Sequence, residues 1–149
     1  MLPSEFRDWL TGAPHGLQKI SGMSNLLSAK IKKIGADYGQ VEVSYHIPTE
    51  FFNPEGFVHG GILSALVDEC ACLSAALASG PKHVGATQNL SISYLHPVRD
   101  PKLSVECSVI ARNMKILSVL AKVLDADDRT CASGQASIFL THGRRRAKK

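Results

Sequence analysis

The clearest pattern in the chain is a long, nearly all-apolar stretch over Gly61–Ser79 that ends at Gly80-Pro81. It is rich in Ala and Leu, which are strong helix formers, and a Gly-Pro pair is a typical helix stop. Its apolar positions lie all round the helix instead of along one stripe. The pattern therefore predicts one long helix that is buried on most of its sides.

Alternating apolar and polar positions predict strands on both sides of this helix. Before it, Val41, Val43, Tyr45 and Ile47 alternate with polar residues, and residues 26–37 give a weaker strand pattern, with a turn over 35–39 between them. Four more strands are predicted around residues 89–94, 105–109, 117–123 and 130–140, with turns over 97–101, 112–115 and 125–129. The short gaps favour antiparallel neighbours.

The remaining segments are less regular. Residues 4–10 predict a short N-terminal helix with Ser4 as its N-cap, whereas residues 12–22 and 48–58 are expected to be loops. An antiparallel sheet has to cover its apolar face. We therefore expect an α+β fold in which a curved antiparallel sheet wraps one long helix, and the apolar surface left on that helix suggests a partner subunit.

Length and charge add little to this picture. The 149 residues are expected to form a single domain, with a core over about 24–141 and a basic tail over 143–149. The net charge of +4 comes largely from that tail, so the body is close to neutral and a nucleic-acid partner is not indicated. The tail is either a solvated end or a contact for a phosphate-bearing or acidic partner.

Several classes of protein are not indicated by the sequence. The four cysteines form no C-x-x-C pair and resemble small buried residues of a reducing compartment. The N-terminus has no apolar signal segment, and Asp68 and Glu69 interrupt the longest apolar run, so we expect a cytoplasmic protein without a membrane span. No metal-ligand spacing, serine-hydrolase elbow, phosphate-binding loop or dinucleotide fingerprint is present. No metal and no cofactor are expected.

The segment that carries chemistry runs from Asn53 to Gly61 and reads Asn-Pro-Glu-Gly-Phe-Val-His-Gly-Gly. Its last glycines begin the long helix, where bare N–H groups and the helix dipole favour a developing oxyanion. Asn53 offers a second, side-chain N–H. Asp68 lies two turns into the helix, and a carboxylate among apolar residues is costly unless it is paired or used. Together these residues predict an oxyanion site and a base or nucleophile.

The spacing of these groups predicts a shared site. Asp68 lies seven residues after Gly61, which is about 10 Å along a helix. That separation is too large for both groups to act on one carbonyl from the same chain. We therefore expect Gly61 of one subunit to act with Asp68 of an antiparallel helix in another, and we expect a monomer to be inactive.

With Asn53, Gly56, His59-Gly60-Gly61 and Asp68 in these spacings, the chain resembles the hotdog-fold thioesterase superfamily. It looks most similar to the small acyl-CoA thioesterase branch that includes the phenylacetate-degradation thioesterases. The resemblance implies a dimer whose sheets join, often a dimer of dimers, and coenzyme A thioesters as substrates. By position, Asn53 and the Gly60-Gly61 backbone would hold the thioester carbonyl, Asp68 would be base or nucleophile, and Thr87 would help to position water.

Other roles for these residues stay open at this point. Asp68 could be a structural carboxylate at a dimer seam, and Thr87 an ordinary strand residue. His59 could be a base, although orienting the loop by hydrogen bonds suits its place beside the glycines better. Substrate-binding candidates are Gly56 of the motif and three cations that could meet the phosphates of coenzyme A. These cations are Arg99, Arg112 and Lys115; the basic tail is a further candidate, and the sequence does not choose among them.

The resulting functional prediction is an acyl-CoA thioesterase that hydrolyses an acyl- or aryl-CoA to the free acid and CoA. Two alternatives use the same fold: a non-catalytic acyl-CoA binding protein and a hydratase or dehydratase. The sequence does not define the acyl group.

Overall fold

The computed structural model describes residues 22–80 and 83–142. The helices are α1 (Gly22–Leu26) and α2 (Gly60–Ser79), with a 3₁₀ turn over Thr49–Phe51. The strands are β1 (Lys30–Ile34), β2 (Gln40–His46), β3 (His83–Tyr94), β4 (Lys102–Asn113), β5 (Ile116–Leu124) and β6 (Thr130–His142). The predicted helix over 4–10, nearly all of the predicted loop over 12–22 and the basic tail lie outside the described residues.

All strand pairs are antiparallel, and the sheet order is β1-β2-β4-β5-β6-β3. The prediction that strands joined by short gaps are antiparallel neighbours is confirmed for β4, β5 and β6, but it is wrong for β3, which pairs with β6 instead of β4. The segment between β3 and β4 contains Pro97 and Pro101, which have no backbone N–H to donate. It passes the loop before α2, where Val58 N–H donates to Val98 O and Ile47 N–H donates to Pro101 O. It is therefore a crossover and not a hairpin.

Helix α2 is the centre of the core, as its composition predicted. Ten of its twenty residues are buried, and it packs against five strands, β2 to β6. By length and mean hydropathy, 1.6, it could also cross a membrane. The sheet that wraps it accounts for the hydropathy, because a helix covered on most sides by strands needs apolar residues nearly all round.

One face of α2 is left uncovered. Gly61, Ser64, Ala65, Asp68 and Cys72 recur at helical spacing and are half-buried or exposed, in contrast to the ten buried residues of the helix. The neighbouring strand, β3, is an edge of the sheet and pairs only with β6 among the described strands. One side of the protomer therefore presents an open helix face beside an unpaired strand edge.

Two glycines let β3 and β6 pack closely beside α2. A Cβ at Gly85 of β3 would lie 2.7 Å from Ile138 Cγ2 and 3.6 Å from the carbonyl oxygen of Cys72. A Cβ at Gly134 would lie 2.9 Å from Ser91 O and 3.4 Å from Val67 Cγ1. A side chain at either position would therefore force β3 and β6 to shift relative to each other, whereas the contacts with α2 would be ordinary.

Candidate functional site

The carboxylate of Asp68 is paired with a hydroxyl from β3. Thr87 Oγ1 donates to Asp68 Oδ1 at 2.5 Å, and both residues are half-buried. The register of β3 against β6 shifts between Thr87 and Asn89, which is a β-bulge. Thr87 keeps the regular register of the strand before the bulge, and the bulge changes the facing of the residues after it. Thr87 is thus placed at the carboxylate, where the resemblance had put a hydroxyl.

Cys72 belongs to the same cluster. It lies one turn after Asp68 on the uncovered face, and its Sγ is 3.2 Å from Thr87 Oγ1. Burial raises the pKa of the Cys72 thiol, and the nearby charge of Asp68 raises it further, although contact with Thr87 acts in the opposite sense. The sulfur is therefore a thiol at neutral pH and can act as a hydrogen-bond donor.

The beginning of α2 is capped by His59. Its Nδ1 accepts from Gly61 N–H at 3.3 Å, and its carbonyl oxygen accepts from Ile62 and Leu63 N–H. These bonds engage three N–H groups of the first turn. Within the described residues, Gly60 N–H has no acceptor. The N–H that is open to a ligand is therefore that of Gly60, whereas the spacing argument from sequence had used Gly61.

Neither glycine at the helix start is required by the fold of the protomer. Gly60 and Gly61 do not have positive φ angles, unlike Gly56 and Gly80. A Cβ at Gly60 would lie 3.4 Å from the Tyr94 ring, and a Cβ at Gly61 would lie 3.5 Å from His59 Nδ1. Both are ordinary contacts. Glycine in a helix costs up to about 1 kcal/mol relative to Ala. The space above these two residues is therefore available to something outside the protomer.

Asn53 shapes the loop before α2 and faces the helix start. Its Oδ1 accepts from Glu55 N–H at 3.1 Å and from Phe57 N–H at 2.9 Å. With the amide oxygen occupied in this way, the amide nitrogen is the end that remains for a ligand. Asn53 and Gly60 both line an open cleft of about 310 Å³. The cleft brings together the two predicted oxyanion donors, but Asp68 does not line it.

Arg99 holds this same loop in place. Its Nη1 donates to Glu55 O at 3.0 Å, and its guanidinium lies 3.9 Å from the centre of the Phe57 ring. Gly56, with a φ of +76°, faces Arg99 Nη1 and allows the tight turn that these contacts stabilise. Both residues were candidates for binding substrate. The structure gives each of them a role in the loop.

Arg112 and Lys115 lie at the β4–β5 turn and line a separate hollow of about 250 Å³. His83, at the start of β3, lines the same hollow, and its Nδ1 is 2.8 Å from Ser79 O. The hollow lies at the His83 end of β3, opposite the Tyr94 end, and it is lined by two cationic side chains and an imidazole. That is a suitable lining for an anion.

Glu69 is held on a different face of α2. It accepts a hydrogen bond from Ser24 of α1, and Tyr45 of β2 also bonds to it. Burial raises the pKa of Tyr45 far above its ordinary value, and the nearby Cys70 and Glu69 add to the shift. The tyrosine therefore stays protonated and donates. The carboxylate ties α1 and β2 to the central helix, which is the structural role that its 100° rotation from Asp68 favoured.

Sequence reasoning did not assign a role in the reaction to the hydroxyl groups of Ser64 and Tyr94 or to the thiol of Cys72. Tyr94 packs against Gly60, and its hydroxyl lies 2.5 Å from Ser64 Oγ and 3.1 Å from Gly60 O. Ser64 and Cys72 follow Gly61 and Asp68 by three and four residues. That helical spacing was the available signal, because it places all four residues on one face.

The distance along α2 between the two halves of the site is about 12 Å, for eight residues at 1.5 Å each. The half at Gly60 has N–H donors and a cleft, and the half at Asp68 has a carboxylate with an oriented hydroxyl. A donor set and a carboxylate are the parts needed for acyl transfer to water. In one protomer they are too far apart to meet the same carbonyl group.

The chain belongs to the thioesterase superfamily, because the model of that family matches residues 55–132. The matched span covers most of the motif before α2, together with Asp68, Cys72, Thr87 and Tyr94. The predicted membership of a thioester-hydrolase family is thereby confirmed.

Individual proteins agree with this assignment. The chain is 27% identical over 118 residues to "Putative esterase SSO2140" of Saccharolobus solfataricus, a match that covers 79% of this chain and 84% of that protein. Conserved protein PA5202 of Pseudomonas aeruginosa is 27% identical, with a TM-score of 0.75 over 83% of this chain and 97% of that one. A "putative thioesterase, phenylacetic acid degradation-related protein" of Ralstonia eutropha has a TM-score of 0.80 at 24% identity, over 91% and 98%. These matches confirm the predicted hotdog fold.

Proposed function

We propose that the protein is an acyl-CoA thioesterase that cleaves an acyl- or aryl-CoA in a site shared by two copies of the chain. The observation that carries this proposal is the division of the site along α2. Gly60 N–H and Asn53 face one cleft, and Asp68 with Thr87 lies about 12 Å further along the same helix. A second copy in antiparallel orientation would form two complete sites, each with the Gly60 half of one copy and the Asp68 half of the other.

The chemistry that follows is hydrolysis of the thioester. The carbonyl oxygen accepts from Gly60 N–H and the Asn53 amide, which stabilise the negative charge that develops when the carbonyl carbon is attacked. Asp68 of the other copy either takes a proton from the attacking water or attacks the carbonyl itself. In both cases the C–S bond breaks, a C–O bond forms, and the thiolate of CoA leaves and is protonated. If Asp68 is the nucleophile, water then hydrolyses the acyl-aspartyl anhydride, which releases the free acid and restores the carboxylate.

The open edge of β3 supports an assembly of this kind. It is twelve residues long and lies beside the uncovered face of α2, where Asp68 is found. Val84 and Tyr94, near its two ends, are 52% and 55% exposed in the protomer. Long unpaired edges are normally protected or paired. Antiparallel pairing of β3 with β3 of a second copy would extend the sheet and lay the two uncovered helix faces near each other.

The cationic hollow supports CoA as the leaving group. In an antiparallel β3 pair, the end of one strand at His83 approaches the end of the other at Tyr94. The hollow with Arg112 and Lys115 of one copy would then lie near the cleft with Gly60 of the other. CoA has several phosphate groups at the end remote from its thiol, and guanidinium and ammonium groups are suitable partners for them.

Charge reversal at this hollow should weaken binding of CoA esters specifically. Arg112→Glu and Lys115→Glu are each expected to raise KM for an acyl-CoA by roughly fivefold or more, because an attraction to phosphate becomes a repulsion. The N-acetylcysteamine thioester of the same acid has no phosphates, so its kcat/KM should be unchanged. Lys122→Glu makes the same change at an exposed position of β5 and is the matched control. Equal effects on both substrates would contradict a role in phosphate recognition.

The proposed activity is tested by thiol release from a panel of acyl- and aryl-CoA esters, with matched oxygen esters and an enoyl-CoA. We expect release of CoA from at least one thioester, a lower rate on its oxygen ester, and no hydration of the enoyl-CoA. Saturable binding of CoA esters without release of thiol would instead favour a binding protein. Hydration without thiol release would favour a hydratase.

A further inference from the structure

Two residues of the uncovered face, Cys72 and Asp68, form a hydrogen-bonded chain with Thr87 of the neighbouring strand β3. Thr87 donates to Asp68 Oδ1 at 2.5 Å, and Cys72 Sγ lies 3.2 Å from the same threonine oxygen. A hydroxyl has one proton to donate. Because that proton is directed at Asp68, the bond between cysteine and threonine must use the S–H as donor. The order of donation is therefore Cys72 to Thr87 to Asp68.

We propose that Cys72 is a positioning residue for Asp68 in the thioesterase reaction, acting through the hydroxyl of Thr87. The thiol occupies an acceptor site of the threonine oxygen, so the hydroxyl keeps its proton on the carboxylate and does not turn toward water. Asp68 in turn keeps one oxygen bonded and the other directed at the reacting group. This inference rests on the proposed function for its effect on catalysis, but its geometric part can be tested separately.

The local fold is built to bring these groups together. Gly85 lets β3 lie close to β6, because a Cβ there would lie 2.7 Å from Ile138 Cγ2, and the backbone of Cys72 is in ordinary contact range, 3.6 Å away at its carbonyl oxygen. Thr87 lies two residues after Gly85 on the same side of β3, in regular register with β6, and the bulge follows it. Cys72 lies four residues after Asp68, so both side chains leave the helix on the same face. A small side chain with a donor is needed at residue 72, and cysteine supplies it.

A direct role of Cys72 as nucleophile fits these observations less well. The raised pKa leaves little thiolate at neutral pH, whereas the thiolate is the reactive form. The sulfur also contacts Thr87, which stands between it and the carboxylate. The thiol is therefore placed behind the reacting groups and not among them.

The kinetic test uses a double-mutant cycle with thiol release from the best CoA ester. Cys72→Ala should lower kcat roughly three- to tenfold with KM within about twofold, because a modest hydrogen bond is lost behind the carboxylate. Cys72→Ser keeps a donor and should restore most of kcat. In a Thr87→Val background, Cys72→Ala should cause no further loss. Unchanged kcat in Cys72→Ala, equal loss in Ala and Ser, or losses that multiply in the double variant would overturn the proposal.

A second measurement on the same proteins needs no activity. Three-bond NMR couplings to the Thr87 methyl carbon report the rotamer of its side chain. One rotamer is expected in the wild type and Cys72→Ser, and a mixture is expected in Cys72→Ala. If the wild type releases no thiol from any ester but this pattern is seen, the proposed function fails and the positioning contact stands. A single rotamer in all three proteins would contradict the contact itself, whatever the activity.

Discussion

Asp68→Asn is expected to lower kcat for acyl-CoA hydrolysis by roughly 10²–10⁴-fold, the usual contribution of an acid–base group. Asparagine has nearly the same shape, and its Oδ1 can still accept from Thr87, so the contact seen at 2.5 Å survives. What is lost is the negative charge, and with it the ability to take a proton or to attack. KM should change little, because in the proposed reaction Asp68 acts at the attacked carbonyl and not on the CoA moiety.

Glu69→Gln is the matched control for this variant. It removes the neighbouring carboxylate charge on another face of α2, where Ser24 and Tyr45 bond to it. We expect its kcat to stay within a few-fold of wild type, while its thermal stability falls. The two variants are compared by thiol release and by size-exclusion chromatography. If Asp68→Asn kept most of its activity in an unchanged assembly, Asp68 would be a structural carboxylate.

Gly60→Pro is expected to lower kcat by roughly 10²–10³-fold, the usual effect of removing one oxyanion donor. Gly60 is the first residue of α2, after His59 as N-cap, and this is the helix position that accepts proline best. His59 has φ −62° and ψ 134°, which suits a residue before proline. No described group accepts from Gly60 N–H, so the fold loses no hydrogen bond. The substitution therefore removes the proposed donor and little else.

Gly60→Ala separates the loss of the N–H from the added bulk. It places a Cβ at the same point, 3.4 Å from the Tyr94 ring, but it keeps the donor. We expect it to keep much more activity than Gly60→Pro, with similar melting temperatures for both variants. Equal loss in the two variants would mean that space at this position matters and the N–H does not. Full activity in Gly60→Pro would remove Gly60 from the oxyanion site.

The parts of the structure that were predictable are those that local patterns control. Helix α2 was expected over Gly61–Ser79 and runs over Gly60–Ser79, because its composition and the Gly80 stop are local signals. The strand around Val41–Ile47 and the hairpins β4–β5 and β5–β6 follow from alternation and short turns. Asp68 and the motif from Asn53 to Gly61 stood out because their residue types are expensive in those places unless they have a use.

The parts that were not predictable depend on contacts between distant segments. Gap length favoured β3 beside β4, but two prolines make that connection a crossover, so β3 becomes the edge strand next to β6. Residues 22–26 form a short helix, where a loop and the start of a strand had been expected, and Ser24 anchors it to Glu69. The choice between Gly60 and Gly61 required the His59 cap, and the contact of Cys72 with Thr87 required the packing of β3 against α2.

The central claim is that one site uses Gly60 of one copy and Asp68 of another, and co-assembly of two inactive variants tests it most directly. Asp68→Asn and Gly60→Pro are produced together at equal levels, and thiol release is compared with that of each variant alone. A shared site predicts recovery to about a quarter of wild-type activity, since half the dimers are mixed and each mixed dimer has one intact site. Activity no greater than that of the separate variants, in chromatographically verified mixed assemblies, would contradict a site shared between the two copies.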